Sequence, residues 1–371
     1  LKFADPAWIL LLLVASRAAA ATGELIIVDS SFAPMEQGSF VFSASAQCPW
    51  IDENHRAWPE SGSCHDIDAW KALFPKKALL TKMIRLNRMS RSVDYVEWRA
   101  QLAAADRSAL EAYQLQTHGT RSAWIAWEAS GRRAPLLAVR NISAASAAPA
   151  RSLEGRPLPG LQRYAGACRL VNWSEKQREG FRKGRGLQDY QERLARVLES
   201  RPSAQVVSLS LGYNKEWIRA DAPDCDAQQV ESEFAALVDS WRALLRRFPD
   251  RLFVAAAGNE GRDLSKAPQA AAELWALLAS EPNLLVVGAL DVDNRPLAVS
   301  NFGVQGMTWA LGIQVPLRAP LPGEKMGQDA EGFGTSSAAP MVAGRAWALL
   351  SENPKLILRE LRKRLDRQPA H

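Results

Sequence analysis

Long apolar runs are missing from this sequence. The one near the start, Trp8 to Ala15 (WILLLLVA), is eight residues long, against roughly 20 for a helix that crosses a bilayer. No later stretch comes closer, so a polytopic membrane protein is excluded and no stable membrane span is expected. Cysteine is scarce, four in 371 residues, too few for a small disulfide scaffold. Glycine and proline are neither abundant nor periodic, which excludes a collagen-like chain. No repeat of solenoid length and no sustained heptad pattern is present. A one-signed charge excess is also lacking. Lys and Arg number 46 against 40 Asp and Glu, a net charge of +6. The basic residues are scattered among the acids rather than gathered in a stripe, so nucleic acid is not an expected partner. What remains is an ordinary globular composition, 47% hydrophobic and 23% charged, enough for a substantial core.

The N-terminal run follows Lys2 and precedes Arg17 and the small residues Ala18 to Ala21. A basic start, a short apolar core and small residues form the layout of a secretory leader. Residues 1–21 are therefore expected to be a signal peptide and 22–371 one domain, in a secreted or periplasmic protein. The alternative is a buried first helix of that domain. An even cysteine count suits an oxidising compartment. The nearest pairing joins Cys48 to Cys64 and leaves Cys168 for Cys225, one of three connectivities. A zinc site from Cys48, His55, Cys64 and His65 is the rival, but its spacings match no common finger. No metal site is assigned.

Along the chain, Glu24–Val28, Ala134–Val139, Val206–Leu211, Leu252–Ala256 and Leu284–Val287 are short apolar runs that read as buried strands. Helical periodicity marks Val93–Leu115, Gln188–Leu198, Val230–Phe248, Ala271–Ala279, Ser337–Ser351 and Lys355–Leu365. Strands that are apolar throughout, separated by helices, predict an α/β fold with a parallel buried sheet flanked by helices. Ligands of such sheets sit beyond the carboxyl ends of the strands, so polar residues just after a strand are the candidates for chemistry.

Four such places stand out. Asp29 follows the strand ELIIV. His118 lies in Gln116-Thr117-His118-Gly119-Thr120, before the apolar segment Ala123–Trp127. Asn259 follows the strand LFVAA in Ala257-Gly258-Asn259-Glu260-Gly261. Ser336 lies in Gly334-Thr335-Ser336-Ser337-Ala338-Ala339-Pro340. A serine hydroxyl is a poor nucleophile until a base takes its proton. An imidazole, whose ordinary pKa lies near neutrality, can take it and return it. A carboxylate orients that imidazole, and an amide donor stabilises the oxyanion.

Together the four strings resemble the subtilase family of serine peptidases. Val206 to Gly212, Val286-Val287-Gly288-Ala289 and Ser300-Asn301-Phe302-Gly303 resemble further family strings in the expected order, over about residues 24–351. The order Asp, His, Ser is the one known for subtilisin, so it is a match to that family. The resemblance implies a subtilisin-like single domain with catalytic Asp29, His118 and Ser336 and an oxyanion-hole donor in Asn259. Substrate backbone would lie beside Ser210, Leu211 and Gly212 and beside Ala256, Ala257 and Gly258. The implied activity is that of a monomeric serine endopeptidase acting through an acyl-enzyme on protein or peptide. No cofactor is implied. A structural Ca²⁺ is compatible with the family, and no ligands for one are named. Small residues at 256–258 favour a large apolar side chain before the scissile bond. Pro340 is expected in the first turn of its helix, where its missing N–H costs little.

The sequence departs from the family in places. Ser30-Ser31 stand where a small residue and Gly are usual, and Ser337 where Met is common. Eighty-eight residues separate Asp29 from His118, so an insertion is expected at about 33–110. About two dozen residues precede Asp29, and no inhibitory pro-domain is expected among them. Two rival readings are a non-catalytic binding protein on the same fold and a serine esterase. The first would usually lose a triad member; the second needs a G-x-S-x-G elbow, and Gly334-Thr335-Ser336-Ser337-Ala338 lacks the second Gly.

Overall fold

The computed structural model describes residues 23–29, 82, 86, 101–140, 150–151, 157–158, 186–216, 219, 226–313, 315–317 and 330–366. The leader at 1–21, all four cysteines and most of the expected insertion lie outside these residues.

Six strands form the central sheet: β1 (Leu25–Asp29), β2 (Leu136–Arg140), β3 (Val206–Leu209), β4 (Leu252–Ala256), β5 (Leu284–Leu290) and β6 (Thr308–Leu311). Their order is β2-β1-β3-β4-β5-β6, and every pairing is parallel. The helices that pack with them are α1 (Ala104–Ala129), α2 (Gly186–Ser200), α3 (Ala227–Arg247), α4 (Leu274–Leu278), α5 (Thr335–Glu352) and α6 (Leu358–Asp366). A short ribbon pairs Val315–Leu317 with Ala330–Gly332.

Side chains on a strand alternate between faces, and here both faces are buried. Leu25, Ile27, Val206, Leu252, Val254, Leu285 and Val287 pack with α1, α5 and α6. Their neighbours Ile26, Val28, Val207, Leu209, Phe253 and Val286 pack with α2, α3 and α4. This double burial is why the strands carry no polar alternation. On the second face Trp241 of α3 meets Trp275 of α4 edge to face, centroids 4.9 Å apart. A capping box fixes the start of α3: Asp226 accepts from the Gln229 N–H, and the Gln229 side chain accepts from the Asp226 N–H.

Three features differ from the sequence-based expectation. Of the helix expected over Val93–Leu115, residues 93–100 lie outside the described residues and residues 104–115 open α1, which runs on past His118 and Gly119 to Ala129. The strand expected over Val206–Leu211 leaves the sheet after Leu209, because Ser210 and Leu211 turn to partners elsewhere. The sixth strand, β6, was not expected. It extends the sheet at the edge beside β5.

Since β2 and β3 flank β1 on opposite sides, the chain reverses direction across the sheet at β1. Such a switch point opens a crevice at the carboxyl ends of the adjacent strands. Asp29 ends β1 and Ser210 follows β3, so both stand at that crevice.

Candidate active site

Asp29 is fully buried, a costly position for a carboxylate unless its oxygens are bonded. They are bonded to one helix. The Nδ1 of His118 lies 2.7 Å from Oδ1 and 2.8 Å from Oδ2. One turn further along α1, the Ser122 hydroxyl donates to Oδ2 at 3.0 Å. Residues four apart on a helix share a face, so His118 and Ser122 grip the carboxylate together. The imidazole side chain is 33% exposed.

The start of α5 is tied to the same strand ends. Gly334 precedes the helix at φ +79°, a region open to glycine. A Cβ there would fall 2.6 Å from Asn259 Oδ1. Thr335 locks Asn259 in place: its N–H and its hydroxyl both donate to Asn259 Oδ1, at 2.9 and 3.1 Å. The same hydroxyl accepts from the Gly258 N–H at 3.2 Å. Because a backbone N–H can only donate, the Asn259 atom facing it is the carbonyl oxygen. The NH₂ of this exposed residue is left for other partners.

Ser336 is the second residue of α5. Pro340 is the sixth, so it lies in the second turn, not the first. There its lack of N–H has a consequence: the carbonyl of Ser336, four residues back, loses its usual intrahelical donor. The Ser210 hydroxyl donates to that carbonyl instead, at 3.2 Å. The turn that bears Ser336 is thereby fastened to the end of β3.

Asn301 braces the wall beside β4. Its side-chain NH₂ donates to Ala257 O at 2.9 Å and to Glu260 Oε2 at 2.8 Å, and its Oδ1 accepts from the Arg262 N–H at 2.9 Å. Its own N–H donates to Gly258 O at 3.0 Å. Ser210, Leu211 and Gly212 continue β3. Ala256 ends β4, and Ala257 and Gly258 continue it, so the two expected substrate walls leave neighbouring strands. Among the described residues, no group of three or more His, Cys, Asp or Glu side chains converges as a metal site.

A family model described as the subtilase family, peptidase S8, matches residues 182–368, just over half of the chain. The chain belongs to the subtilase family. The matched stretch of this subtilase contains Ser210, Asn259 and Ser336, while Asp29 and His118 lie before it. The solved structures to which the chain is similar include these two. One is an alanine variant of the protease domain of PatA, 22% identical, with 67% of this chain and 71% of that chain covered and a TM-score of 0.38. The other is a cold-adapted subtilisin-like serine proteinase, 19% identical, with 67% of each chain covered and a TM-score of 0.35. No curated protein matches the chain.

Ser122, Thr335 and Asn301 received no role from sequence reasoning. The signal for Ser122 was its spacing of four from His118, which counts only once His118 is known to lie inside a helix. For Thr335 and Asn301 the signal was membership of the strings themselves, which names the residues without saying what they bond.

Proposed function

We propose that this subtilase is an exported serine endopeptidase. His118 Nε2 takes the proton of the Ser336 hydroxyl, and Oγ adds to the scissile carbonyl carbon. The oxyanion so formed accepts from the Asn259 NH₂ and from the Ser336 N–H at the positive end of α5. As the intermediate collapses, the C–N bond breaks and the amine leaves with the proton from His118. Water then hydrolyses the acyl-enzyme by the same path in reverse. Asp29 holds the imidazole in the tautomer whose Nδ1 bears the proton, and stabilises the imidazolium. Substrate lies extended against Ser210–Gly212 and Ala256–Gly258, so backbone bonds give affinity and pockets give specificity.

The observation that carries this reading is the buried Asp29 carboxylate bonded to His118 at the crevice where Ser210 is bonded to Ser336. Labelling with a fluorophosphonate probe, then mapping the modified peptide, tests it. The expected result is one modification at Ser336, absent in Ser336→Ala, with peptide hydrolysis lost in that variant by on the order of 10⁴-fold or more. That magnitude is the one known for subtilisin. A folded protein that takes no label and cleaves nothing would instead be the non-catalytic binding protein.

A further inference from the structure

Beyond the crevice, the segments that leave β3 and β4 are joined through a single guanidinium. The paired register of the two strands ends at Leu209 with Ala255, before either substrate wall begins. The β3 segment continues through Tyr213 and Asn214 to Glu216. The β4 segment continues through Asn259 to Arg262. A third segment, at the start of α4, lies along the first. Lys215 N–H donates to Ala272 O at 3.1 Å, and Leu274 N–H to Tyr213 O at 3.0 Å. The Trp275 indole N–H donates to Leu211 O at 2.7 Å. Arg262 Nη1 stands 3.0 Å from Glu216 Oε2 and 3.0 Å from Glu273 Oε1.

An exposed ion pair contributes little by itself, and Glu216 is half exposed. Glu273 is different: it is buried, and its partner segment is hydrogen-bonded to the Ser210–Gly212 wall. Burial, and then the neighbouring Glu260, push the Glu273 carboxyl up to about 8 against the pull of Arg262. The backbone of Arg262 is held by Asn301, which also holds Ala257. A shift of Arg262 is felt on both walls.

We infer that Arg262 is a positioning residue for substrate: it clasps the two strand extensions beyond the end of their ladder and sets the width of the primary pocket between them. The inference rests on the endopeptidase reading above. A guanidinium suits the task because the two N–H bonds of Nη1 are held in a fixed plane and reach two acceptors at once, where an ammonium is a flexible point charge.

The test is steady-state kinetics on a tetrapeptide anilide beside the rate of fluorophosphonate labelling. Arg262→Met is expected to raise KM about tenfold, with kcat and the labelling rate within about threefold, since the small probe needs the nucleophile and not the walls. Arg262→Lys should recover part of the loss. Glu216→Gln, which loosens only the exposed half and spares the fold, should raise KM about threefold. Should Arg262→Met fail to fold, Glu216→Gln and Arg262→Lys carry the test. Unchanged KM in these variants, or parallel losses in kcat and labelling, overturns the clasp while leaving the peptidase reading intact. Wild-type protein that neither cleaves nor labels overturns the peptidase reading, and the clasp with it.

Discussion

The hydroxyl of Ser210 donates to the carbonyl oxygen of Ser336, and it does so because Pro340 cannot. A proline inside a helix normally leaves an unpaired carbonyl and a kink. Here the unpaired carbonyl belongs to the proposed nucleophile, and the residue that satisfies it stands on the adjacent strand end. The helix defect and the strand-end hydroxyl therefore form one joint between α5 and the sheet.

The joint is testable as a double-mutant cycle. Ser210→Ala should destabilise the protein by about 1–2 kcal/mol, the cost of leaving a partly buried carbonyl poorly satisfied. In a Pro340→Ala background the backbone regains an N–H at that position, and it can bond the same carbonyl. Ser210→Ala should then cost less than about 1 kcal/mol. Urea denaturation of the four proteins measures the coupling. Equal costs in both backgrounds would show that the hydroxyl is not standing in for the missing helical donor.

Ser122 donates to the same carboxylate as His118. Hydrogen bonds to charged groups contribute about 1.5–3 kcal/mol, and this one fixes the plane of Asp29 relative to the imidazole. Ser122→Ala should lower kcat about tenfold with KM nearly unchanged, because orientation of the base is needed at the chemical step and not for binding. Ser122→Thr, which keeps the hydroxyl, should retain most of the activity if its methyl is accommodated. A Ser122→Ala enzyme with full kcat would reduce Ser122 to packing.

The strands of the sheet were legible because burial on both faces makes each an uninterrupted apolar run. The strings at Asp29 and Asn259 stood out because each ends or follows a strand, and that at Ser336 because it begins a helix, whereas the His118 string, inside α1, stood out only by its order among the others. The structure adds what depends on side chains meeting across elements. Gly119 and its neighbouring threonines lower helix propensity, and so hid the continuity of α1. With that continuity hidden, the spacing of His118 and Ser122 carried no meaning. The position of Pro340 depended on where α5 starts, and a boundary shift of about two residues moves it from the first turn to the second. Arg262 and Glu273 received no role from the sequence, since nothing local marks Glu273 as buried. β6 was missed because Thr308–Leu311, at the sheet edge, is short and only alternately buried.

Gly344 lies where α5 crosses α1. A Cβ added there would collide with the backbone oxygen of Ala126 and stand 2.9 Å from the Ala129 Cβ. Those partners are backbone and a stub side chain, so neither can swing aside. Gly344→Ala must separate the two helices, and one carries His118 while the other carries Ser336. Overpacking of this kind costs about 1–3 kcal/mol. The expected outcome is a lower Tm together with a fall in kcat of at least about tenfold. Measured side by side, a normal Tm and normal turnover would show that the helices do not cross this closely.

Glu273 makes the pH dependence of stability unusual. In the unfolded chain its carboxyl loses its proton near the ordinary 4.5, and in the folded protein it keeps it to about 8. Between those values the folded state binds more protons than the unfolded state. Its contribution to stability is thus full below about pH 4.5, declines as pH rises, and is lost above about 8. The groups that face it are Glu260, Arg262, Glu216 and Asn214. Two of them are acids that oppose ionisation; Arg262 and the hydrogen bond from Asn214 favour it, and burial outweighs that help. The upper bound on the lost stability is on the order of 5 kcal/mol. Glu273→Gln keeps an oxygen for Arg262 to bond and removes the titration. The variant and the wild type should therefore melt at similar temperatures near pH 5. The variant should melt higher at pH 9, by several degrees, since ~1 kcal/mol moves Tm by a few degrees in a chain of this size. Differential scanning calorimetry across that range decides the sign. If attraction to Arg262 prevailed over burial, the difference between the two proteins would stay flat from about pH 5 to 9, and the wild type would lose ground only as the pH falls below about 4.5.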